Sequence, residues 1–185
     1  MAQLKLIILD FDGTLADTRK ANAMAYIEAL EEVGITLSYE EYLEKYFGMR
    51  CMEFLRMVGV EGEAIATLRR RKIELYPKHF STVKLNRPLM EWCMMMQSYG
   101  TQVWIVSTGH IDNITNVMRY LNIEGDFDGV ISGDDIAIPK PSPDAFLMAM
   151  ERVGALPEET IIFEDSEIVL EAAKRSGAPY VKVTL

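Results

Sequence analysis

The chain has 185 residues, enough for one domain or one domain carrying an insertion, and 49% hydrophobic with 25% charged residues is an ordinary globular composition. A formal net charge of −9 disfavours nucleic acid and membranes as partners. The two cysteines, Cys51 and Cys93, lack metal-ligand spacing, and neither a signal peptide nor a membrane span is expected, so the reading is a reduced, cytoplasmic protein.

A nearly unbroken apolar run, Leu4-Lys5-Leu6-Ile7-Ile8-Leu9, predicts a strand buried on both faces, and it ends in Asp10, Asp12 and Gly13. From Thr18 to about Val33, a stripe of Ala21, Ala25, Ile27, Ala29, Leu30 and Val33 predicts a helix stopped by Gly34. Ser38-Tyr39-Glu40-Glu41 reads as a capping box opening a second helix to about Phe47. A third helix is predicted over Met52 to Val58 and a fourth over Glu63 to about Tyr76. In the fourth, Arg69-Arg70-Arg71-Lys72 reads as a solvated face. No strand separates these helices, so residues near 16–84 read as a helical insertion.

Alternation of strand and helix then resumes. Pro88 to Tyr99 is predicted helical, with Leu89, Trp92, Met95 and Met96 as its inner face. A strand over Gln102–Val106, a helix over Ile111–Leu121 and a strand over Phe127–Ile131 follow. Ser142 is predicted to cap the next helix with Pro143 at its first position. Thr160–Phe163, Glu167–Ser176 and Tyr180–Val183 read as strand, helix and strand. This order predicts an α/β fold, a Rossmann-like doubly wound parallel sheet between two helical layers.

In a parallel sheet every carboxyl end lies on one edge, where such folds bind ligands. Asp10 and Asp12, Ser107, Lys140, and Glu164 with Asp165 all fall at strand ends or in loops leaving them. Carboxylates at the end of a buried strand need positive compensation, and a divalent cation is the natural candidate.

The string Asp10-Phe11-Asp12-Gly13-Thr14-Leu15 resembles the nucleophile motif of the haloacid dehalogenase superfamily in its phosphatase and phosphomutase form. Val106-Ser107-Thr108, Pro139-Lys140-Pro141-Ser142-Pro143-Asp144 and Glu164-Asp165-Ser166 are similar to its later motifs. Phe127-Asp128-Gly129-Val130-Ile131 and Gly133-Asp134-Asp135 are similar to the stretch leading to the lysine in phosphoglycolate-phosphatase-like and β-phosphoglucomutase-like members. The resemblance implies a core of residues 1–15 and 85–185 with an α-helical cap over 16–84. It implies Asp10 as nucleophile, Asp12 as general acid/base and Lys140 as the charge steadying nucleophile and phosphate. Ser107 would bind the phosphoryl group. Asp10, Asp12, Glu164 and Asp165 would form a Mg²⁺ site.

Thr108 and Gly109 would offer backbone N–H groups to phosphate oxygens at a helix start. Arg50, in Gly48-Met49-Arg50, sits in the loop resembling the cap specificity loop and is carried as a contact to a substrate anion, beside its reading as a surface arginine. His110 stands open between a structural and a substrate-facing role. The implied function is a Mg²⁺-dependent phosphatase acting on a small phosphorylated metabolite through an aspartyl-phosphate, as a monomer or weak homodimer. The alternatives are a sugar phosphomutase and a non-catalytic binding module; a dehalogenase would lack the second aspartate. Asn22 stands where a mutase-like hinge offers His, and an amide cannot share protons as imidazole does. Val169 replaces a usual Gly, and the short stretch after Val183 implies a smaller sheet or a covered edge.

Overall fold

Four consecutive apolar residues, Leu6-Ile7-Ile8-Leu9, form strand β1 (Leu6–Leu9), and solvent reaches none of them. The computed structural model describes residues 3–138 and 141–185. After β1 come β2 (Ala16–Asp17), β3 (Lys84–Leu85), β4 (Gln102–Val106), β5 (Gly129–Ile131), β6 (Thr160–Glu164) and β7 (Tyr180–Lys182). Five of these form one parallel sheet in the order β5-β4-β1-β6-β7, so β1 is the central strand. A strand hydrogen-bonded on both sides and covered on both faces tolerates no polar residue, which is why its apolar run is continuous.

Side-chain alternation along β1 divides the core. Ile7 and Leu9 join a cluster with α5 (Arg87–Ser98) and α6 (Ile111–Leu121). Leu6 and Ile8 join one with α7 (Asp144–Val153) and α8 (Glu167–Ser176). The sheet thus has helices on both faces, the three-layer α/β arrangement that the alternation predicts.

Between β2 and β3 the chain is helical: α1 (Arg19–Glu31), α2 (Tyr39–Lys45), α3 (Cys51–Met57), α4 (Glu63–Leu75) and a 3₁₀ turn over Tyr76–Thr82. Phe54 is their packing hub, with Tyr26, Tyr46 and Tyr42 rings at 4.8, 5.0 and 5.5 Å. The segment leaves and rejoins the sheet through an antiparallel ladder of β2 on β3, Ala16 opposite Leu85 and Asp17 opposite Lys84. Arg19 clamps Asp17 with two 2.8 Å hydrogen bonds, and these hold the Asp17 carboxyl below its usual range.

Several boundaries differ from the sequence reading. The β2–β3 ladder was not anticipated, because two-residue strands carry no periodicity. Pro143, not Ser142, occupies the cap position of α7, without a side-chain hydrogen bond. In α5 Leu89, Met90 and Cys93 are buried, Trp92 and Met96 pack partly buried against the same core, and Met95 is exposed. Strand β5 begins at Gly129, because the Asp128 carboxylate accepts the Val103 N–H at 2.8 Å in place of a strand partner. Gly129 is required there: a Cβ would lie 2.6 Å from the Trp104 ring. Val33 lies beyond the end of α1 and is exposed.

Candidate active site

The sheet register builds the site. Leu9 stands between Ile105 of β4 and Phe163 of β6, so the next residues, Asp10, Val106 and Glu164, reach the same edge together. Asp10 and Glu164 are buried, and Asp165 follows at the sheet's rim. One carboxylate oxygen from each of Asp10, Glu164 and Asp165 lies within 4.8 Å of the others. Three hard oxygen donors crowded in a largely dry setting repel one another unless a cation joins them, and this donor set fits a hard divalent ion. One Glu164 oxygen also accepts the N–H groups of Asp165 and Ser166, both at 3.1 Å, which fixes the carboxylate's orientation. Gly13 permits the crowding: its φ is +97°, and a Cβ would lie 2.2 Å from an Asp165 oxygen.

The Asp12 carboxylate is not part of that trio. Its Oδ1 accepts a short hydrogen bond from the Thr18 hydroxyl and a 3.3 Å bond from Asn22 Nδ2. Asn22 Oδ1 in turn accepts from Lys72 Nζ at 2.8 Å. A line of side chains therefore runs from α4 through α1 to Asp12. Lys72 is 1% exposed, and its ammonium lies 3.7 Å from the centre of the Tyr76 ring. Burial pushes its pKa down from 10.5 to about 8, with the Asp12 charge acting in the opposite sense. The reading of Lys72 as part of a solvated face is therefore corrected. Its position was visible in the spacing of Ile65, Leu68, Lys72 and Leu75, which form one inward stripe of α4.

Ser107, at the end of β4, is buried, and its Oγ accepts the Gly109 N–H at 3.0 Å. That N–H is thus engaged by a side chain, which corrects the expectation that it stands free for phosphate. His110 caps α6, its Nδ1 accepting from Asp112 N at 3.2 Å, and its Nε2 lies 3.4 Å from Asp134. Across the cleft, Arg50 donates to the Ile136 carbonyl at 3.2 Å and Arg69 reaches Asp134 at 3.5 Å. Lys140 lies outside the described residues.

A cavity of about 570 Å³ gathers these groups. Asp10, Asp12, Ser107, Thr108, Gly109, Glu164 and Asp165 line it from the sheet side, and Asn22, Arg50, Arg69 and Lys72 from the helical side. Its volume is typical of a small-molecule site. No described helix is long and apolar enough to cross a membrane, and both cysteines are free thiols.

Comparison with known proteins agrees with this geometry. The family model for haloacid dehalogenase-like hydrolases matches residues 7–183. A phosphoglycolate phosphatase of Aquifex aeolicus is 30% identical over 179 residues, covering 94% of this chain and 82% of that protein. A fructose-1-phosphate phosphatase of Escherichia coli is 25% identical over 185 residues, covering 97% and 96%. The crystal structure of CbbY from Rhodobacter sphaeroides in complex with phosphate superposes with a TM-score of 0.85 at 26% identity, covering 99% of this chain and 87% of that one. With a family match over nearly its whole length and carboxylates brought together at the end of its central strand, the chain belongs to the haloacid dehalogenase-like hydrolases.

Proposed function

We propose that the protein is a Mg²⁺-dependent phosphatase that hydrolyses a small phosphomonoester through an aspartyl-phosphate on Asp10, with residues 16–84 acting as a helical cap. Within its family the chain is a phosphoric monoester hydrolase. The observation that carries the finer reading is the meeting of Asp10, Asp12, Ser107, Glu164 and Asp165 in one cavity. Asp10, Glu164 and Asp165 would hold Mg²⁺, whose charge offsets that of the carboxylates and the phosphate.

Asp10 attacks phosphorus, splitting the hydrolysis into two steps. Asp12, held by Thr18 and Asn22, protonates the leaving alkoxide and then takes a proton from the attacking water. Ser107 holds the phosphoryl group, and Lys140 would steady its charge and that of Asp10. Arg50 and the other helical-side groups face the leaving group, so substrate choice falls to the cap. The relatives named for phosphoglycolate and fructose 1-phosphate support a small phosphorylated metabolite.

A phosphomutase would need to keep water from the aspartyl-phosphate while the sugar turns. Here the residue at the mutase-like hinge position is Asn22, whose amide donates to Asp12 and cannot share a proton as an imidazole does, and hydrolysis is favoured. The test is phosphate release from a panel of monoesters with Mg²⁺ and with EDTA. We expect EDTA-sensitive release, and Asp10→Asn should lose at least about a thousandfold in kcat, since an amide is a poor nucleophile. EDTA-resistant turnover, or full activity in Asp10→Asn, would overturn the assignment.

A further inference from the structure

The loop over residues 132–136 leaves β5 and is fixed from within: the Asp135 carboxylate accepts the N–H and the hydroxyl of Ser132, both at 2.8 Å. The loop lies hard against the turn at Thr108 and Gly109. Gly133 N–H donates to the Gly109 carbonyl at 2.8 Å, and a Cβ on Gly133 would lie 2.2 Å from the Thr108 carbonyl oxygen. Asp134 is held from the same side, its Oδ2 accepting the Ile111 N–H at 3.0 Å and lying 3.4 Å from His110 Nε2. Its other oxygen, Oδ1, meets Arg69 of α4 at 3.5 Å. One ion pair thus joins the helical segment to the loop that abuts the Ser107 turn, and Arg50 adds a second tie to that loop through the Ile136 carbonyl at 3.2 Å. Exposed ion pairs lose most of their value to the ordering of two side chains. Here core hydrogen bonds already order Asp134, so only Arg69 has to be fixed.

We propose that Arg69 and Asp134 form a latch that holds the helical segment over the cavity and steadies the turn that receives the phosphoryl group. Both are positioning residues. Arg69 acts through Asp134, and Asp134 acts through the Ile111 N–H and the loop that carries Gly133. With the latch broken, the 132–136 loop is held by the core alone and opens more often. The inference rests on the phosphatase reading for its effect on turnover, whereas amide exchange tests it without turnover.

The experiment compares the wild type with Arg69→Gln, Arg69→Lys, Asp134→Asn, which keeps an oxygen for the Ile111 N–H, and the double variant Arg69→Gln with Asp134→Asn. kcat/KM is measured with Mg²⁺ for phenyl phosphate and for phosphoglycolate, whose leaving group carries a carboxylate, and amide exchange is followed at Ile111 and Gly133. We expect Arg69→Gln and Asp134→Asn each to lower kcat/KM roughly 2–5-fold, the worth of one exposed ion pair, and by the same factor for both esters. The double variant should lose no more than either single one, and Arg69→Lys should keep most of the activity. Arg69→Gln should also speed exchange at Ile111 and Gly133, neither of which Arg69 touches. Additive losses, a loss confined to phosphoglycolate, which would make Arg69 a substrate contact, or unchanged exchange overturns the latch and leaves the phosphatase reading standing. A wild type that releases no phosphate from either ester overturns the phosphatase reading, and exchange then decides the latch by itself.

Discussion

Lys72 keeps an ammonium group where an apolar residue would pack more cheaply, since its buried head lies over the Tyr26 and Tyr76 rings and hydrogen-bonds an amide and not a carboxylate. The effect on stability has a definite sign. Its folded pKa is about 8 against an ordinary 10.5, so below 8 both states carry the proton and the desolvation cost is constant. Between these values the unfolded chain holds a proton that the folded protein has released, and stability rises with pH. Relative to Lys72→Met, the wild type should therefore gain stability from pH 8 to 10.5, by at most on the order of 3 kcal/mol. Urea unfolding of both proteins across this range measures it, and parallel curves would refute it. At the residue scale, the carboxylates of the cavity were legible because each acidic motif is local in sequence. Lys72 was misread because the neighbouring arginines suggest a charged face, whereas the spacing of Ile65, Leu68 and Leu75 places it inward.

Elements with strong periodicity were read within a residue, and α6 and α8 start and stop where the pattern predicts. The element boundaries that escaped depend on tertiary partners: a two-residue ladder at the base of the helices, a strand shortened by the Asp128 carboxylate, a helix opened by Pro143. The helical segment also depends on one residue that no pattern singles out. Phe54 touches the Tyr26, Tyr42 and Tyr46 rings and is 1% exposed, so α1, α2 and α3 all pack through it. Removing it leaves a cavity that three large rings, Tyr26 on α1 and Tyr42 and Tyr46 on and just after α2, cannot easily fill. Phe54→Ala should cost roughly 3–5 kcal/mol, and Phe54→Leu should recover a large part of that loss. Denaturant unfolding gives both values, and a cost below about 1 kcal/mol for the alanine variant would show that the helices pack independently of this hub.

At the scale of the molecule, the parallel sheet turns groups far apart in sequence into neighbours, and this convergence was legible because alternating strands and helices imply parallel strands with their carboxyl ends on one edge. The coupling of Asp12 to α1 and α4 was not, because it depends on how the helices return over the sheet edge. The same convergence concentrates negative charge in a chain that is already at −9. Asp10, Glu164 and Asp165 face one another within 4.8 Å, so the fold without a cation carries a repulsion that the unfolded chain escapes. A divalent ion that binds only the folded site stabilises it by mass action, about 2.7 kcal/mol at a hundred times its Kd. For a chain of this size that corresponds to a rise in melting temperature of about 5–10 °C. Sodium chloride at equal ionic strength should give a much smaller rise, because screening acts weakly on buried charge. Asp165→Asn removes one donor of the trio, so it should gain little from Mg²⁺. Thermal melts of the two proteins in EDTA, Mg²⁺ and matched sodium chloride separate these effects. An equal response to both salts, or a full Mg²⁺ shift retained in Asp165→Asn, would mean that the three carboxylates do not act as one cation site.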